Sequence, residues 1–153
     1  MKFVDIKGGR APVLGLGTAR LYGSECVRVV RTALDLGYRH IDTAELYTNE
    51  RFVGEAVALA EVERAEIFLT TKIWTNRRAA HLRRAAEASL RNLRTDYVDL
   101  LLVHRPNKSV ALSETLRALT DLLEEGKART IGVSNFPARL RSLSAGSSAR
   151  TES

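Results

Sequence analysis

Apolar and polar positions along this chain alternate between two periodicities at intervals of roughly 30 residues, the spacing of strand–helix units. Short, nearly continuous apolar runs lie at 13–17, 38–41, 67–71, 97–103 and 130–133. Such runs suit a parallel sheet covered on both faces, where neither side of a strand meets water. Between them, apolar residues recur at helical spacing. Val27, Val30 and Leu34 stripe a first helix, with Ser24 as its expected cap and Gly37 as its stop. Phe52, Val53, Ala56 and Val57 face inward on a second, expected to be capped by Asn49. Leu82, Ala86, Leu90 and Leu93 stripe a third, and Leu112, Leu116, Leu119 and Leu123 a fourth, closed by Gly126. Ahead of these units, 3–6 and 11–14 flank Gly8-Gly9, a pair suited to a hairpin turn. The pattern predicts an α/β chain: a hairpin, then five strands and four complete helices. A fifth helix is expected to begin at Pro137, with Leu140 and Leu143 as its inward positions. From Ser144 to Ser153 no apolar residue is larger than alanine, so that stretch is expected to be disordered.

Composition narrows the class. A chain of 153 residues, 44% hydrophobic and 27% charged, reads as one soluble globular domain. No apolar run approaches the roughly 20 residues of a membrane span. Asp5 interrupts the apolar patch near the N-terminus, which argues against a signal peptide. The single cysteine, Cys26, excludes an internal disulfide and fits a reducing compartment, so a cytoplasmic setting is expected. The net charge of +6 does not indicate nucleic-acid binding. Arg83, Arg84 and Arg91 are scattered over helix faces without interleaved aromatics or a recognisable nucleic-acid motif. Part of the positive balance suits an anionic cofactor.

Candidate chemistry gathers after the strands. Asp42 and Tyr47 follow the run at 38–41, Lys72 follows 67–71, and His104 follows the run ending at Val103. The C-terminal ends of parallel strands are where α/β sheets and barrels collect their reactive groups. A free phenol titrates near ~10, and a neighbouring ammonium such as Lys72 is expected to lower that value. Asp42 is expected to pair with Lys72, and His104 to hold a substrate oxygen. That set suits protonation of a carbonyl oxygen while hydride arrives at carbon from a nicotinamide. The plainer reading is that charged strand ends only cap neighbouring helices. A phosphate loop at Gly15-x-Gly17 is a weaker signal, because the third glycine position is Arg20 and no helix starts at once.

The stretch Gly37-Tyr38-Arg39-His40-Ile41-Asp42-Thr43-Ala44, with Glu50-x-x-Val53-Gly54, resembles the first signature of the aldo-keto reductases. Thr71-Lys72-Ile73-Trp74 resembles their catalytic-lysine strand end, and Asp96 to His104 followed by Pro106 resembles their histidine strand. Ile131-Gly132-Val133-Ser134-Asn135-Phe136 resembles the strand whose Ser-Asn pair holds the nicotinamide carboxamide. The matches run in family order from residue 12 to about 137, with most likeness to the bacterial 2,5-diketo-D-gluconate reductase branch.

The resemblance implies a TIM (β/α)8 barrel, here about five βα units preceded by the hairpin, which would plug the barrel's bottom. It implies NADP(H) as cofactor, a small carbonyl substrate and no metal. Tyr47 becomes the proton donor, Asp42 and Lys72 its tuning pair, and His104 the carbonyl-orienting residue. Gly17, Thr18 and Asp42 would lie beside the cofactor, Ser134 and Asn135 would hold its nicotinamide, and Trp74 would line the substrate pocket. The family commonly has an aromatic where this chain has Arg105, a change expected to favour anionic substrates. A (β/α)8 barrel typically needs about 250 residues. The expectation is therefore a portion of the barrel at residues 1–137, then a tail at 138–153 that does not resemble the family. Members are usually monomeric, whereas an incomplete sheet is expected to self-associate and to lack turnover alone. The alternative is a non-catalytic fragment that binds a partner through its open edges or misfolds.

Overall fold

The structure, a computed structural model, describes residues 1–75 and 78–137. The expected fifth helix and the expected tail at 138–153 lie outside the described residues. Strands β1 (Phe3–Ile6) and β2 (Gly9–Pro12) form the hairpin. Ile6 pairs with Gly9, so the turn is Lys7-Gly8 rather than Gly8-Gly9, and the second arm starts two residues earlier than the pattern suggested. This turn lies against Arg129 and Thr130, just ahead of the last strand, at the end of the sheet opposite the candidate site.

Among the described residues the main sheet has five parallel strands: β3 (Leu16–Gly17), β4 (His40–Asp42), β5 (Phe68–Thr75), β6 (Leu100–Arg105) and β7 (Ile131–Val133). Each pairs with its neighbour in sequence, in the order β3-β4-β5-β6-β7. Sequential parallel order with a helix between strands is the build of a (β/α)8 barrel wall. Lys72 and His104 lie within strands rather than beyond them. The β5–β6 ladder continues to the Thr75–Arg105 pair, which carries both strands past the end of their apolar runs. At the other extreme, the run at 13–17 yields only a two-residue strand, and Val13 and Leu14 are exposed.

Helices α1 (Gly23–Asp35), α2 (Glu50–Ala58), α3 (Ala79–Leu93) and α4 (Leu112–Glu124) join the strands. Gly37 stops α1 as expected. It takes φ +92°, its N–H bonds Leu34 O and the Tyr38 N–H bonds Ala33 O, the paired closure of a left-handed C-terminal turn. Ser24 is not the cap; the helix begins one residue earlier, and no side chain caps it. On α4 the buried positions are Thr115, Ala118, Leu119 and Leu122, while Leu123 is exposed. The leucine stripe is thus turned by part of a helical step from the one expected. On α3 the expected stripe is buried in full.

Between helices and sheet, Ile41, Leu69, Ile73, Leu119 and Leu122 are fully buried. Along β5, Leu69, Thr71 and Ile73 share the face toward the helices, and Thr70, Lys72 and Trp74 the opposite face, the two-residue alternation of a strand. Two buried acids tie the layers. Glu50 accepts the Thr71 hydroxyl at 2.6 Å and the Asn92 amide at 3.4 Å, joining α2 to β5 and α3. Gly54 lets α2 meet α3 closely, since a Cβ there would stand 2.6 Å from the Asn92 carbonyl oxygen. Asp99 accepts the Leu69 N–H at 2.9 Å and ion pairs from Arg64 and Arg129, both at 3.0 Å. Those two guanidiniums each stack on Tyr97 at 4.2 Å. A buried carboxylate stays charged at tolerable cost only when paired in this way.

Candidate active site

Four elements bring the predicted residues together. Asp42 ends β4 beside Gly17, its register partner on β3. The chain then buries Thr43 and Ala44 completely and makes a single 3-10 turn, Glu45–Tyr47. Thr48, with φ +55°, reverses the backbone; such a conformation is uncommon for a β-branched residue. Asn49 holds the loop in place. Its fully buried amide donates to Thr18 O at 2.7 Å and Leu21 O at 2.9 Å and accepts the Thr43 hydroxyl at 2.8 Å. Asn49 precedes α2 as expected but makes no side-chain cap. It fastens the Asp42–Tyr47 segment to the chain just after β3, a role that no local sequence signal marks.

Lys72 projects from the middle of β5 and is nearly buried. Its ammonium donates to Asp42 Oδ1 at 2.5 Å and to Thr43 O at 3.0 Å, so the expected pair is present. Lys72 Nζ also stands 5.4 Å from the centre of the Tyr47 ring. Tyr47 and His104 meet edge to face at 5.9 Å, and His104 and Trp74 do the same at 5.5 Å. Trp74 is half-buried and not a core aromatic; its backbone N–H donates to Glu45 Oε2 at 2.9 Å. That carboxylate anchor is a second contact the sequence reading missed. At β7 the Ser134 N–H extends the ladder to Val103 O, and Asn135 turns into the left-handed region at φ +59°. The Asn135 amide donates to His104 O at 2.9 Å and Ser134 Oγ at 3.0 Å. All four candidate catalytic residues therefore share one end of the sheet with Trp74, Gly17 and the Ser134-Asn135 pair.

Thr18 is fully buried, and its N–H and hydroxyl both donate to Asp42 O, at 2.9 and 3.1 Å. It locks β3 to β4 and has no hydroxyl proton left for a ligand. Gly17 beside it is exposed, with open space where a Cβ would stand. Ser134 keeps its hydroxyl proton and Asn135 its carbonyl oxygen, a donor and an acceptor that match the two ends of a carboxamide.

The electrostatics correct one expectation. The Tyr47 phenol is pushed above its ordinary 10.0, first by burial and then by the Asp42 carboxylate. Lys72 does not lower it, because Asp42 takes up most of the ammonium's field at contact distance. The phenol is consequently held in its protonated form. His104 is pushed below its ordinary 6.5 by burial, then by the Lys72 and Arg105 charges, with Asp42 opposing. Its Nδ1 is buried without a hydrogen-bond partner among the described residues.

A pH dependence follows for the folded protein. Below 6.5 the unfolded imidazole gains a proton that the folded one resists, so this residue's stabilisation, complete above 6.5, is lost as pH falls through the lower folded value. The His104 ring resonances in NMR should titrate with a midpoint below 6.5, and Arg105→Gln should move that midpoint upward. A midpoint at or above 6.5 would contradict the description.

A phenol, a lysine–carboxylate pair and an imidazole thus gather at one end of the parallel sheet. The aldo/keto reductase family matches residues 13–145, and the chain belongs to that family. It is 48% identical over 128 residues to methylglyoxal reductase DkgB of Escherichia coli, covering 82% of this chain and 48% of that protein. It is 46% identical over 129 residues to a 9,11-endoperoxide prostaglandin H2 reductase of Trypanosoma cruzi, covering 83% and 45%. Among solved structures, a putative 2,5-diketo-D-gluconic acid reductase B superposes with TM-score 0.86 at 45% identity, over 90% of this chain and 50% of that one. A Bombyx mori aldo-keto reductase in complex with NADP superposes with TM-score 0.85 at 34% identity, over 97% and 55%. The chain spans about half the length of the curated relatives it matches. The five-stranded sheet corresponds to part of their TIM barrels. Among the described residues, no helix is long and apolar enough to cross a membrane.

Proposed function

We propose that this chain carries the catalytic half of an NADPH-dependent reductase that converts small aldehydes and ketones to alcohols. The observation that supports it most is the Lys72 ammonium, paired with Asp42 and 5.4 Å from the centre of the Tyr47 ring, with that ring edge to face with His104, in a chain of this family. Tyr47 Oη gives its proton to the carbonyl oxygen. The raised phenol pKa keeps Tyr47 protonated at neutral pH, so the proton is in place when a carbonyl oxygen arrives. Asp42 and Thr43 O hold Lys72 in place. His104, neutral at pH 7, orients the carbonyl oxygen by a hydrogen bond.

Gly17, Ser134 and Asn135 hold the nicotinamide end of the cofactor, which supplies hydride to the carbonyl carbon when bound. Thr18 acts there through the strand end it locks. Trp74 walls the substrate side. The names of the relatives favour dicarbonyl and diketo-sugar-acid substrates. The single buried cysteine suits a cytoplasmic setting. Complete activity belongs to a polypeptide that supplies the remaining barrel strands. Such a protein should oxidise NADPH when given methylglyoxal, with one NADPH consumed per carbonyl reduced. NADPH binding without any carbonyl-dependent oxidation would overturn the reading.

A further inference from the structure

Arg105 ends β6, pairs in register with Thr75 and turns its guanidinium over the Trp74 ring, 5.5 Å from the ring centre. Trp74 in turn meets His104 edge to face at 5.5 Å. At most two such steps separate the guanidinium from the imidazole. Arg105 is exposed, and among the described residues no carboxylate pairs with it. A guanidinium lying on indole is pre-oriented, and its in-plane N–H donors remain free for a carboxylate, which they fit two at a time. Its charge already reaches the site, since it helps hold the His104 imidazole neutral.

We infer that Arg105 selects the substrate: the site takes carbonyl compounds that also carry a carboxylate a few bonds from the carbonyl, keto or aldehydo acids. This rests on the reading of Tyr47 and His104 as the carbonyl site and adds a second anchor to it. With the carbonyl oxygen at His104 and the carboxylate on Arg105, the body of the substrate crosses the Trp74 face. The molecule is then fixed at both ends, which orients its carbonyl toward Tyr47. A neutral carbonyl compound of equal size has only one of these anchors.

The test compares 4-carboxybenzaldehyde with its methyl ester in a protein that joins this chain to the remaining barrel strands, by calorimetric affinity and by NADPH oxidation. Wild-type protein should favour the acid, with an affinity that falls as salt is added. Arg105→Gln should reduce the acid-to-ester affinity ratio by about tenfold or more, and Arg105→Lys by less, because an ammonium lacks the planar fork. An unchanged ratio in Arg105→Gln, or equal losses for acid and ester, would overturn the inference. Arg105-dependent acid binding without turnover of either compound would leave the anchor standing and remove the reductase reading. Turnover of both compounds at a ratio indifferent to Arg105 would do the reverse. Thermal melts of both variants separate loss of fold from loss of selectivity.

Discussion

Replacing Tyr47 by phenylalanine in the complete-barrel protein is expected to reduce carbonyl turnover by roughly 10²–10⁴-fold, the range a positioned general acid supplies. NADPH affinity should change by less than about threefold, because a group acting only in the transition state affects kcat and not ground-state binding. The phenol is half-buried and makes no hydrogen bond among the described residues, so its loss leaves no buried partner unsatisfied. The ring itself, which meets His104 and lies near Lys72, is retained in phenylalanine. Stopped-flow turnover and a fluorescence titration with NADPH measure the two effects. A fall in cofactor affinity as large as the fall in turnover would assign Tyr47 a structural role.

The 153-residue chain by itself should elute from a sizing column as a dimer or larger species and oxidise NADPH too slowly to measure. The reason lies in its edges. Among the described residues β3 pairs only with β4, and β7 only with β6, so each presents a half-made ladder of N–H and C=O groups. A barrel has no such edges because its ladder closes around the ring, which five of eight strands cannot do. Val13, 64% exposed, and Leu14, 56% exposed, add apolar surface beside β3. A soluble monomer turning over within about tenfold of a full-length relative would show that these five units suffice.

Much of this arrangement is legible in the order of residues. Continuous apolar runs separated by helical stripes specify parallel strands and crossover helices, since only a doubly covered strand needs both faces dry. Gly37 marks the end of α1 because its left-handed conformation is costly for other residues. Asp42, Tyr47, Lys72 and His104 could be grouped in advance because all four lie close to the ends of consecutive runs, which parallel pairing brings to one side of the sheet.

What tertiary structure alone decided concerns partners distant in sequence. Lys72 and His104 fall inside strands because the β5–β6 ladder outlasts the apolar pattern that announces it. Asn49 looks like a cap to its neighbours, yet its amide is claimed by Thr18 O and Leu21 O, 31 and 28 residues away. Leu123 is exposed and Leu122 buried because packing against the sheet sets the rotation of α4, and four leucines at helical spacing do not. The direction of the Tyr47 pKa was likewise beyond sequence. It depends on how much of the Lys72 charge Asp42 neutralises and how much water the folded chain leaves around the phenol.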